Sequence, residues 1–306
     1  PGDGRIFLEL DQRYKKPGWT FDQRLQNCEA HSELLRDRDD LYIEYITLLN
    51  LTGHYQKACD CMMEHHFHAW EGGEGKITTQ YKLALLRLAE QAQAENRYAE
   101  AEQLLRRAFV YPENLGEGRL EGTKDNHLYY HLGLALEAQG KAQEAKQCYE
   151  AATLGTDEPA GAMYYNDQPA DMILYQGLAC LKLGKTKEAK SRFYRLIDYG
   201  ERHLEDRVKI EYFAVSLPDF LIFEEDYTRK NRAHCYYLMA LGNIGLDSIG
   251  QAGAGMDRAE TDSAGGRTGT GSARGDHRQK AAAFLREAAA VEPSHMMCSV
   301  YRDRYF

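Results

Sequence analysis

The side chains best suited to chemistry lie in four aromatic and acidic stretches of the chain. Aromatic rings stack on the C–H-rich faces of pyranose sugars, and planar carboxylates and amides bind paired hydroxyl groups. This mixture indicates an edge that binds an oligosaccharide. The candidate edge residues are Trp70, Glu71, Glu74, Tyr111, Asn114, Glu117, Tyr164, Tyr165, Asn166, Asp167 and Asp219. The alternative interpretation is structural, with Trp70, Tyr111 and Tyr164 folding back to cover gaps between neighbouring elements.

Pairs of glutamates in the same stretches are candidates for acid–base catalysis. Glycoside hydrolysis needs two carboxylates on either side of the scissile bond. Glu71 with Glu74, or Glu113 with Glu117, offers such a pair. Exposed loop glutamates are usually solvated, however, and the sequence has no GxSxG motif for a nucleophilic serine. We therefore expect no catalytic residue in this chain.

A cluster of cysteines and histidines has the residue types of a metal site. Cys59 and Cys61 precede His65, His66 and His68, and the four-residue spacing from Cys61 to His65 places both on one helix face. The cluster has neither a CxxC nor an HExxH motif. His65 also falls where the other repeats described below carry inward-packing residues. We therefore expect a packed or surface histidine cluster, with no metal ion and no cofactor.

The elements that must position these stretches are helices that recur in pairs. In Asn126–Ala152, bulky residues at i, i+3, i+4 and i+7 mark a first helix, Gly140 ends it, and a second amphipathic helix follows. Aligned on the helix-ending residue (Gly53, Asn96, Gly140 and Gly184), four such units are 43, 44 and 44 residues apart. The stretches between pairs are therefore expected on one edge of a repeat protein.

These units resemble the tetratricopeptide repeat, a helix pair of about 34 residues. The best match is Asn126–Asp157, and Val291-Glu292-Pro293 matches the end of a further repeat. The resemblance covers residues 39–293, although each unit is about ten residues longer than the family's. It implies an all-α fold: a right-handed superhelical solenoid of antiparallel helix pairs, with about five repeats and an N-terminal capping pair.

The predicted domain organisation has four parts. They are an N-terminal capping helix pair (1–38), the solenoid with long loops between repeats (39–246), a flexible Gly-rich insertion (247–277), and the second helix of the last repeat with a C-terminal cap (278–306). Residues 250–275 contain no Leu, Ile, Val or Phe, so they bury too little apolar surface to offset their ordering entropy. Within the capping pair, Thr20 and Gln23 offer a capping box.

The tetratricopeptide resemblance also implies a ligand groove lined by set positions of each first helix. The candidate groove residues are Asn50, Glu90, His127, Tyr130, Leu134, Leu174 and Leu178. No Lys or Arg occupies a groove position of the four units, so the basic clamp for a C-terminal carboxylate found in some family members is missing. Leu134, Leu174 and Leu178 could instead hold a partner helix or another domain of the same polypeptide. The alternative is that these leucines only pack between repeats.

The loops carry a second resemblance. HFHAWEGGEGK, YPENLGEG, YYNDQP and FAVSLPDF resemble the C-terminal repeat region of large bacterial proteins whose N-terminal domain is β-rich and mutarotase-like. This resemblance implies an association with sugar metabolism and places any catalytic centre in an N-terminal part outside this sequence. Because the first residue is Pro1 rather than Met, we expect a piece of a longer polypeptide.

Composition narrows the expected partners. With 38 Lys and Arg against 47 Asp and Glu, the formal net charge is −9, which disfavours nucleic acid. No apolar run approaches 18 residues, so no membrane span is expected. Seven cysteines without framework spacing indicate reduced thiols and a cytoplasmic location. We expect a non-catalytic scaffold that docks a protein domain; the alternative is a carbohydrate-binding or carbohydrate-processing module.

Overall fold

Helices account for the regular structure. The computed structural model describes residues 2–15, 18–70, 72–161, 168–208, 226–260 and 271–305, and these ranges contain helices and no β-strand. The α-helices are α1 (Gly4–Lys15), α2 (Phe21–Glu29), α3 (Asp39–Leu51), α4 (Tyr55–Glu64), α5 (Lys76–Ala94), α6 (Tyr98–Ala108), α7 (Asn126–Ala138), α8 (Ala142–Ala152), α9 (Met172–Lys182), α10 (Thr186–His203), α11 (Tyr227–Glu260), α12 (Gly271–Val291) and α13 (Met296–Tyr305). Short 3₁₀-helices lie at Ser32–Asp37 and Glu113–Leu115. The predicted all-α class is confirmed.

The chain divides into two compact units. The first contains α1–α6 and residues 134–141, and the second contains residues 122–133 and helices α8–α13. In the first unit α3 packs with α4 and α5 with α6, and in the second α10 packs with both α9 and α11, and α11 with α12. In the described ranges, no helix combines the length and the apolar character needed to cross a bilayer.

A residue with positive φ separates the two helices of each repeated pair. Gly53, Gly140 and Gly184 have φ angles of 83°, 78° and 73°, and Asn96 has a φ angle of 60°. Glycine adopts this left-handed conformation without a steric penalty, whereas an L side chain costs roughly 1–2 kcal/mol. The helix-ending residues found in the sequence are thus confirmed. Three of the four are glycines, whereas the second repeated pair has Asn96 at this position.

Replacing Asn96 with glycine is expected to raise the free energy of unfolding by about 0.5–1 kcal/mol, because glycine removes the strain at this φ angle. The Asn96 carboxamide accepts a hydrogen bond from the Tyr98 hydroxyl at 2.7 Å, but this contact is exposed and contributes little. Asn96→Ala is expected to lower the same free energy, because alanine tolerates the left-handed region less well than asparagine. Urea denaturation followed by circular dichroism checks this order, and equal stability of the glycine and alanine variants would contradict it.

In two of the repeated pairs, a glycine of the first helix lies against an aromatic ring of the second. A Cβ atom at Gly133 would lie 2.5 Å from the Tyr149 ring, and one at Gly177 would lie 2.2 Å from the Phe193 ring. In the two preceding pairs, the equivalent and fully buried residues are Ala89 with Leu105 and Ile46 with Met62. Where the first helix carries Gly133 or Gly177, the volume missing from it is supplied by the aromatic ring of the second helix, which keeps the interior closely packed. Ile46 and Met62 are both large, so their pair does not follow this pattern.

The N-terminal helices begin as the sequence predicts. The Thr20 hydroxyl accepts a hydrogen bond from the Gln23 N–H at 3.2 Å, and the Gln23 side chain accepts one from the Thr20 N–H at 3.0 Å. This reciprocal pair is the predicted capping box, which is confirmed. After α2 the chain forms a 3₁₀-helix that buries Leu34 and Leu35. These leucines complete the apolar side of the capping pair.

A buried ion cluster ties the capping pair to the first repeat. Arg24 is 2% exposed and donates two hydrogen bonds to Asp11, Nε to Oδ1 at 3.0 Å and Nη2 to Oδ2 at 2.6 Å. Its Nη2 also donates to Glu44 Oε1 at 2.5 Å, and Lys15 Nζ donates to Glu44 Oε2 at 2.8 Å. Because Glu44 lies in α3, the cluster fixes α1 and α2 on that helix.

The last helix pair differs from the sequence prediction at its boundaries. The sequence predicts a first helix that ends at Leu246 and a flexible insertion over residues 247–277. In the structure α11 continues to Glu260 and α12 begins at Gly271, while residues 261–270 lie outside the described residues. The apolar pattern stops before residue 250, but residues 251–260 still include the strong helix formers Ala, Met, Arg and Glu. The end of the apolar pattern therefore does not mark the end of the helix.

Candidate functional site

Two of the predicted loops contact each other in the first unit. The Phe67 N–H donates to the Asn114 carbonyl at 2.8 Å. The Asn114 carboxamide donates to the carbonyls of Met62 and His65, both at 2.7 Å. These carbonyls belong to the C-terminal end of α4, where such groups need partners outside the helix. Asn114 therefore joins the loops that follow two successive helix pairs.

Replacing Asn114 with alanine is expected to lower the free energy of unfolding by about 1–2 kcal/mol, because two partly buried carbonyls lose their donor. Asn114→Asp is expected to lower it further at neutral pH, since a carboxylate cannot donate and would face both carbonyl oxygens. The exposed neighbour Glu113 supplies the control Glu113→Ala, expected to change it by less than about 0.5 kcal/mol. Urea denaturation of the three variants measures the differences. Equal losses for Asn114→Ala and Glu113→Ala would refute the linking role.

The Glu117 carboxylate lies at the N-terminus of α5. It accepts a hydrogen bond from the Gly75 N–H at 2.9 Å and another from the Thr78 hydroxyl at 3.4 Å. Burial raises the pKa of Glu117, although both hydrogen bonds oppose the shift. A carboxylate at this end of a helix satisfies N–H groups that have no acceptor within the helix. Glu117 therefore acts as a cap from the following loop.

Two aromatic residues of this edge, Trp70 and Tyr111, are half-buried. The Trp70 ring lies against Gly73, where a Cβ atom would come within 2.2 Å of the indole. The Tyr111 ring has the Lys82 ammonium 6.0 Å from its centroid. Glu74 is exposed, and its carboxylate accepts a hydrogen bond from the Gly72 N–H at 2.8 Å. The remaining candidate edge residues lie outside the described residues: Glu71, Tyr164, Tyr165, Asn166, Asp167 and Asp219.

Two histidines of the candidate metal cluster, His65 and His68, bind a carboxylate. His65 Nε2 lies 2.8 Å from Asp39 Oδ1, and His68 Nδ1 lies 3.0 Å from Asp39 Oδ2. Burial alone would raise the pKa of Asp39, but hydrogen bonds from both histidines outweigh it and lower that pKa. The His65 ring also packs edge-on against Phe67, with centroids 4.6 Å apart. Over the described part of the chain, no three His, Cys, Asp or Glu side chains are grouped as a metal site requires.

In the first unit, the candidate groove residues bind neighbouring side chains. Asn50 is 2% exposed, and its Nδ2 donates to the Gln80 carbonyl at 3.1 Å and to Gln80 Oε1 at 3.0 Å. The half-buried Glu90 accepts a hydrogen bond from Arg87 Nη1 at 2.8 Å. Asn50 therefore connects α3 to α5 and is not accessible to a ligand in this structure. Leu134 is half-buried.

In the second unit, two candidate groove residues are leucines buried in the core, and two are aromatic residues that contact neighbouring side chains. Leu174 and Leu178 belong to the core formed by α9–α12 and are 0% and 6% exposed, which matches the packing alternative for these two leucines. His127 Nδ1 lies 3.1 Å from Met172 Sδ, and the half-buried Tyr130 packs with its ring centroid 6.2 Å from that of Tyr149. The structure places these residues around the first helices α7 and α9.

Sequence reasoning missed a surface on the first helix. Ile6, Leu10 and Trp19 are 51%, 37% and 39% exposed. The Trp19 ring stacks on the Tyr14 ring, with centroids 4.0 Å apart and planes 7° apart. Residues 6, 10 and 14 follow at intervals of four along one side of α1, while Phe7 lies on the buried side. That spacing is visible in the sequence and signals a helix with two apolar sides. We call Ile6, Leu10, Tyr14 and Trp19 the α1 stripe.

No protein-family model matches the chain. Its function must therefore be argued from its own surfaces. The loop edge uses Asn114, Glu117 and Trp70 for contacts within the protein. The α1 stripe, by contrast, presents three large apolar side chains to solvent.

Proposed function

We propose that the chain is a non-catalytic, tetratricopeptide-like solenoid scaffold that docks a protein domain through the α1 stripe. The observation that carries this proposal is the exposure of Ile6 and Leu10 on α1 and of Trp19 between α1 and α2, with Tyr14 stacked against Trp19. Contiguous exposed apolar residues of this kind mark interaction sites. Tryptophan and tyrosine are also enriched among the residues that dominate protein–protein binding.

The α1 stripe is rigid before it meets a partner. The Tyr14–Trp19 stack holds both rings in place, and the buried Asp11–Arg24 pair fixes the helix that carries Tyr14. Binding therefore immobilises few side chains that were free beforehand, which lowers the entropic cost of association.

The proposed partner is a carbohydrate-active domain, on the same polypeptide or on a separate one. The resemblance of the loops to the C-terminal regions of large bacterial proteins supports this class of partner. The proposed location is the cytoplasm, where thiols remain reduced. Burial raises the pKa of Cys28 and of Cys235 to about 12, so both thiols stay protonated within the helices and neither is set up as a nucleophile.

Photo-cross-linking tests the docking surface. A benzophenone amino acid replaces Leu10 in one variant and the exposed Arg5, on another side of the same helix, in the control. Both variants are expressed in the organism of origin, and adducts are identified by mass spectrometry. The Leu10 variant is expected to give one dominant adduct with a carbohydrate-active protein or with another part of its own polypeptide. If Leu10 yields no more adduct than Arg5, the α1 stripe is not the docking surface.

A glycan array separates this proposal from the carbohydrate-binding alternative. The chain is screened beside Trp70→Ala, Tyr111→Ala and Tyr164→Ala variants. We expect no glycan to bind, because Trp70 packs on its own loop and Asn114 is occupied by backbone carbonyls. A glycan that binds the chain and is lost with Trp70→Ala would move the function to the loop edge.

A further inference from the structure

His66 and His68 lie on the outer side of the segment that follows α4. The backbone at His65 has φ and ψ angles of −115° and 148°, which is an extended conformation. Side chains of an extended chain alternate between its two sides. Phe67 is 1% exposed and packs inward, whereas His66 and His68 are both exposed. The alternation therefore brings two imidazole rings to the same side of the chain.

Two hydrogen bonds hold this segment in place. The Phe67 N–H donates to the Asn114 carbonyl at 2.8 Å, and the His68 N–H donates to Asp39 Oδ2 at 2.7 Å. The backbone that carries the two rings is thus ordered before a ligand binds. Because no backbone has to be ordered on binding, the entropic cost of placing a ligand between the rings is low.

The Asp39 carboxylate determines which nitrogen of His68 has a lone pair. Burial alone would raise the pKa of Asp39, but hydrogen bonds from His65 and His68 outweigh it and lower that pKa, so the group is ionised and only accepts hydrogen bonds. His68 Nδ1, 3.0 Å from Asp39 Oδ2, therefore carries the hydrogen atom. In the neutral ring Nε2 then has the lone pair, and this side chain is 79% exposed. A carboxylate on the second nitrogen is the usual partner of a histidine that binds a metal ion.

The distance between the two rings suits one shared ion. Their centroids are 5.9 Å apart, and their planes are inclined by 64°. An ion about 2.0–2.1 Å from one nitrogen of each ring places the centroids roughly 4.5–6.4 Å apart, depending on the angle at the ion. In the described ranges, no hydrogen bond or ion pair joins the His66 side chain to another group. Both rings are therefore able to direct a nitrogen lone pair to the same ion.

We propose that His66 and His68 chelate one divalent transition-metal ion of the class of Ni²⁺, Zn²⁺ and Cu²⁺, and that Asp39 is the positioning residue for His68. Neutral imidazole suits these ions, whereas Mg²⁺ and Ca²⁺ prefer oxygen ligands. Water completes the coordination of the ion. The pair is thus an accessory surface site, distinct from the site of a resident cofactor with three or more protein ligands, for which the described residues contain no candidate group.

This site differs from the cluster that the sequence suggests. The expectation of no metal ion depends in part on the inward position of His65, and that position does not apply to the exposed His66 and His68. His65 Nε2 is bonded to Asp39 Oδ1 at 2.8 Å. The proposal goes beyond the docking function and uses no residue of the α1 stripe, so a negative cross-linking result at Leu10 leaves it unaffected.

Titration of the full chain with Ni²⁺ tests the pair. Isothermal titration calorimetry is expected to show one ion bound per chain. His66→Ala and His68→Ala should each weaken binding at least about tenfold, because a single imidazole remains and the chelate is lost. The control is His54→Ala, which removes an exposed histidine 2.9 Å from the Thr52 hydroxyl and should leave binding unchanged. No binding at millimolar Ni²⁺, or equal binding by the wild-type chain and the His66→Ala/His68→Ala variant, would overturn the proposal.

The role of Asp39 has its own readout. Long-range ¹H–¹⁵N spectra of the histidine rings in the Zn²⁺-bound wild-type chain identify the coordinating nitrogen, which is expected to be Nε2 of His68. Coordination through Nδ1 would contradict the positioning role, and unchanged signals of both rings would overturn the site itself. Asp39→Asn, checked for folding by circular dichroism, is expected to weaken Ni²⁺ binding about 10- to 100-fold. Undiminished affinity of this variant would also contradict the positioning role.

Discussion

Replacing Arg24 with leucine is expected to lower the free energy of unfolding by about 3–5 kcal/mol. The guanidinium is 2% exposed and contacts both Asp11 and Glu44. Among the residues that the structure describes, no other cation lies at hydrogen-bond distance from the fully buried Asp11 carboxylate. The measurement is urea denaturation at neutral pH, followed by circular dichroism.

Two variants show that the loss arises from the buried charge. Arg5→Ala breaks the exposed Arg5–Glu9 pair, and it is expected to cost less than about 0.5 kcal/mol. The double variant Asp11→Leu/Arg24→Leu removes both charges and is expected to recover much of the stability lost in Arg24→Leu, because no unpaired ion remains. If the double variant is as unstable as the single one, lost packing rather than an unpaired charge explains the effect.

The same cluster predicts a response to acid. Burial alone would raise the pKa of Glu44, but the charges of Lys15 and Arg24 outweigh it and lower that pKa to about 2. A depressed carboxyl pKa stabilises the fold above the unfolded-state value of 4.5, and this stabilisation is lost as the pH falls towards 2. Asp11 in the same cluster acts in the opposite direction, because burial raises its pKa. The contribution of Glu44 is therefore the difference in unfolding free energy between the wild-type chain and Glu44→Gln, and this difference should shrink as the pH falls from 4.5 towards 2. Denaturation curves of both chains at several pH values measure it.

The helical fold was predictable because its signals are local and repeated. The spacing of Gly53, Asn96, Gly140 and Gly184 located the turn within each pair, and all four have positive φ angles. The capping box at Thr20 was likewise readable from neighbouring residues. The extent of α11 was not, because continuation of a helix depends on backbone hydrogen bonds and needs no apolar pattern. The superhelical arrangement stays a prediction.

The roles of individual side chains were less predictable, because they depend on contacts between distant segments. Residue type alone gave Asn114 and Glu117 as ligand-binding groups. Asn114 instead donates to backbone carbonyls 49 and 52 positions away, and Glu117 accepts from the Gly75 N–H and the Thr78 hydroxyl, 42 and 39 positions away. Asn50 likewise bonds to Gln80 across a helix pair. For the α1 stripe, the spacing of the residues could be read from the sequence. Their exposure could not, because it depends on which side of α1 packs against the rest of the protein.

Substitution of Gly177 by alanine is expected to destabilise the second unit by about 2–3 kcal/mol, although alanine favours an isolated helix by about 1 kcal/mol. The new Cβ atom would lie 2.2 Å from the Phe193 ring, closer than van der Waals contact permits. The Phe193 ring has no room to move away from the new methyl group, because it is also in close contact with Gly245 of α11. A Cβ atom at Gly245 would likewise lie 2.2 Å from the ring. Phe193 therefore fills the space between two glycines on α9 and α11, and steric overlap outweighs helix propensity.

A double-mutant cycle with Phe193→Leu isolates this overlap. Phe193→Leu alone leaves a cavity and costs stability, but Gly177→Ala added to it should cost much less than in the wild-type chain, because the smaller side chain accepts the methyl group. Gly118→Ala is the control, since a Cβ atom there has nothing within 4 Å. Urea denaturation supplies all the free energies. Equal effects of Gly177→Ala with phenylalanine and with leucine at position 193 would show that the ring is not the limiting contact. The same combination of a glycine and an aromatic ring occurs 44 residues earlier, at Gly133 and Tyr149. That result would therefore mean that contact between glycine and ring does not set the distance between the two helices of a pair.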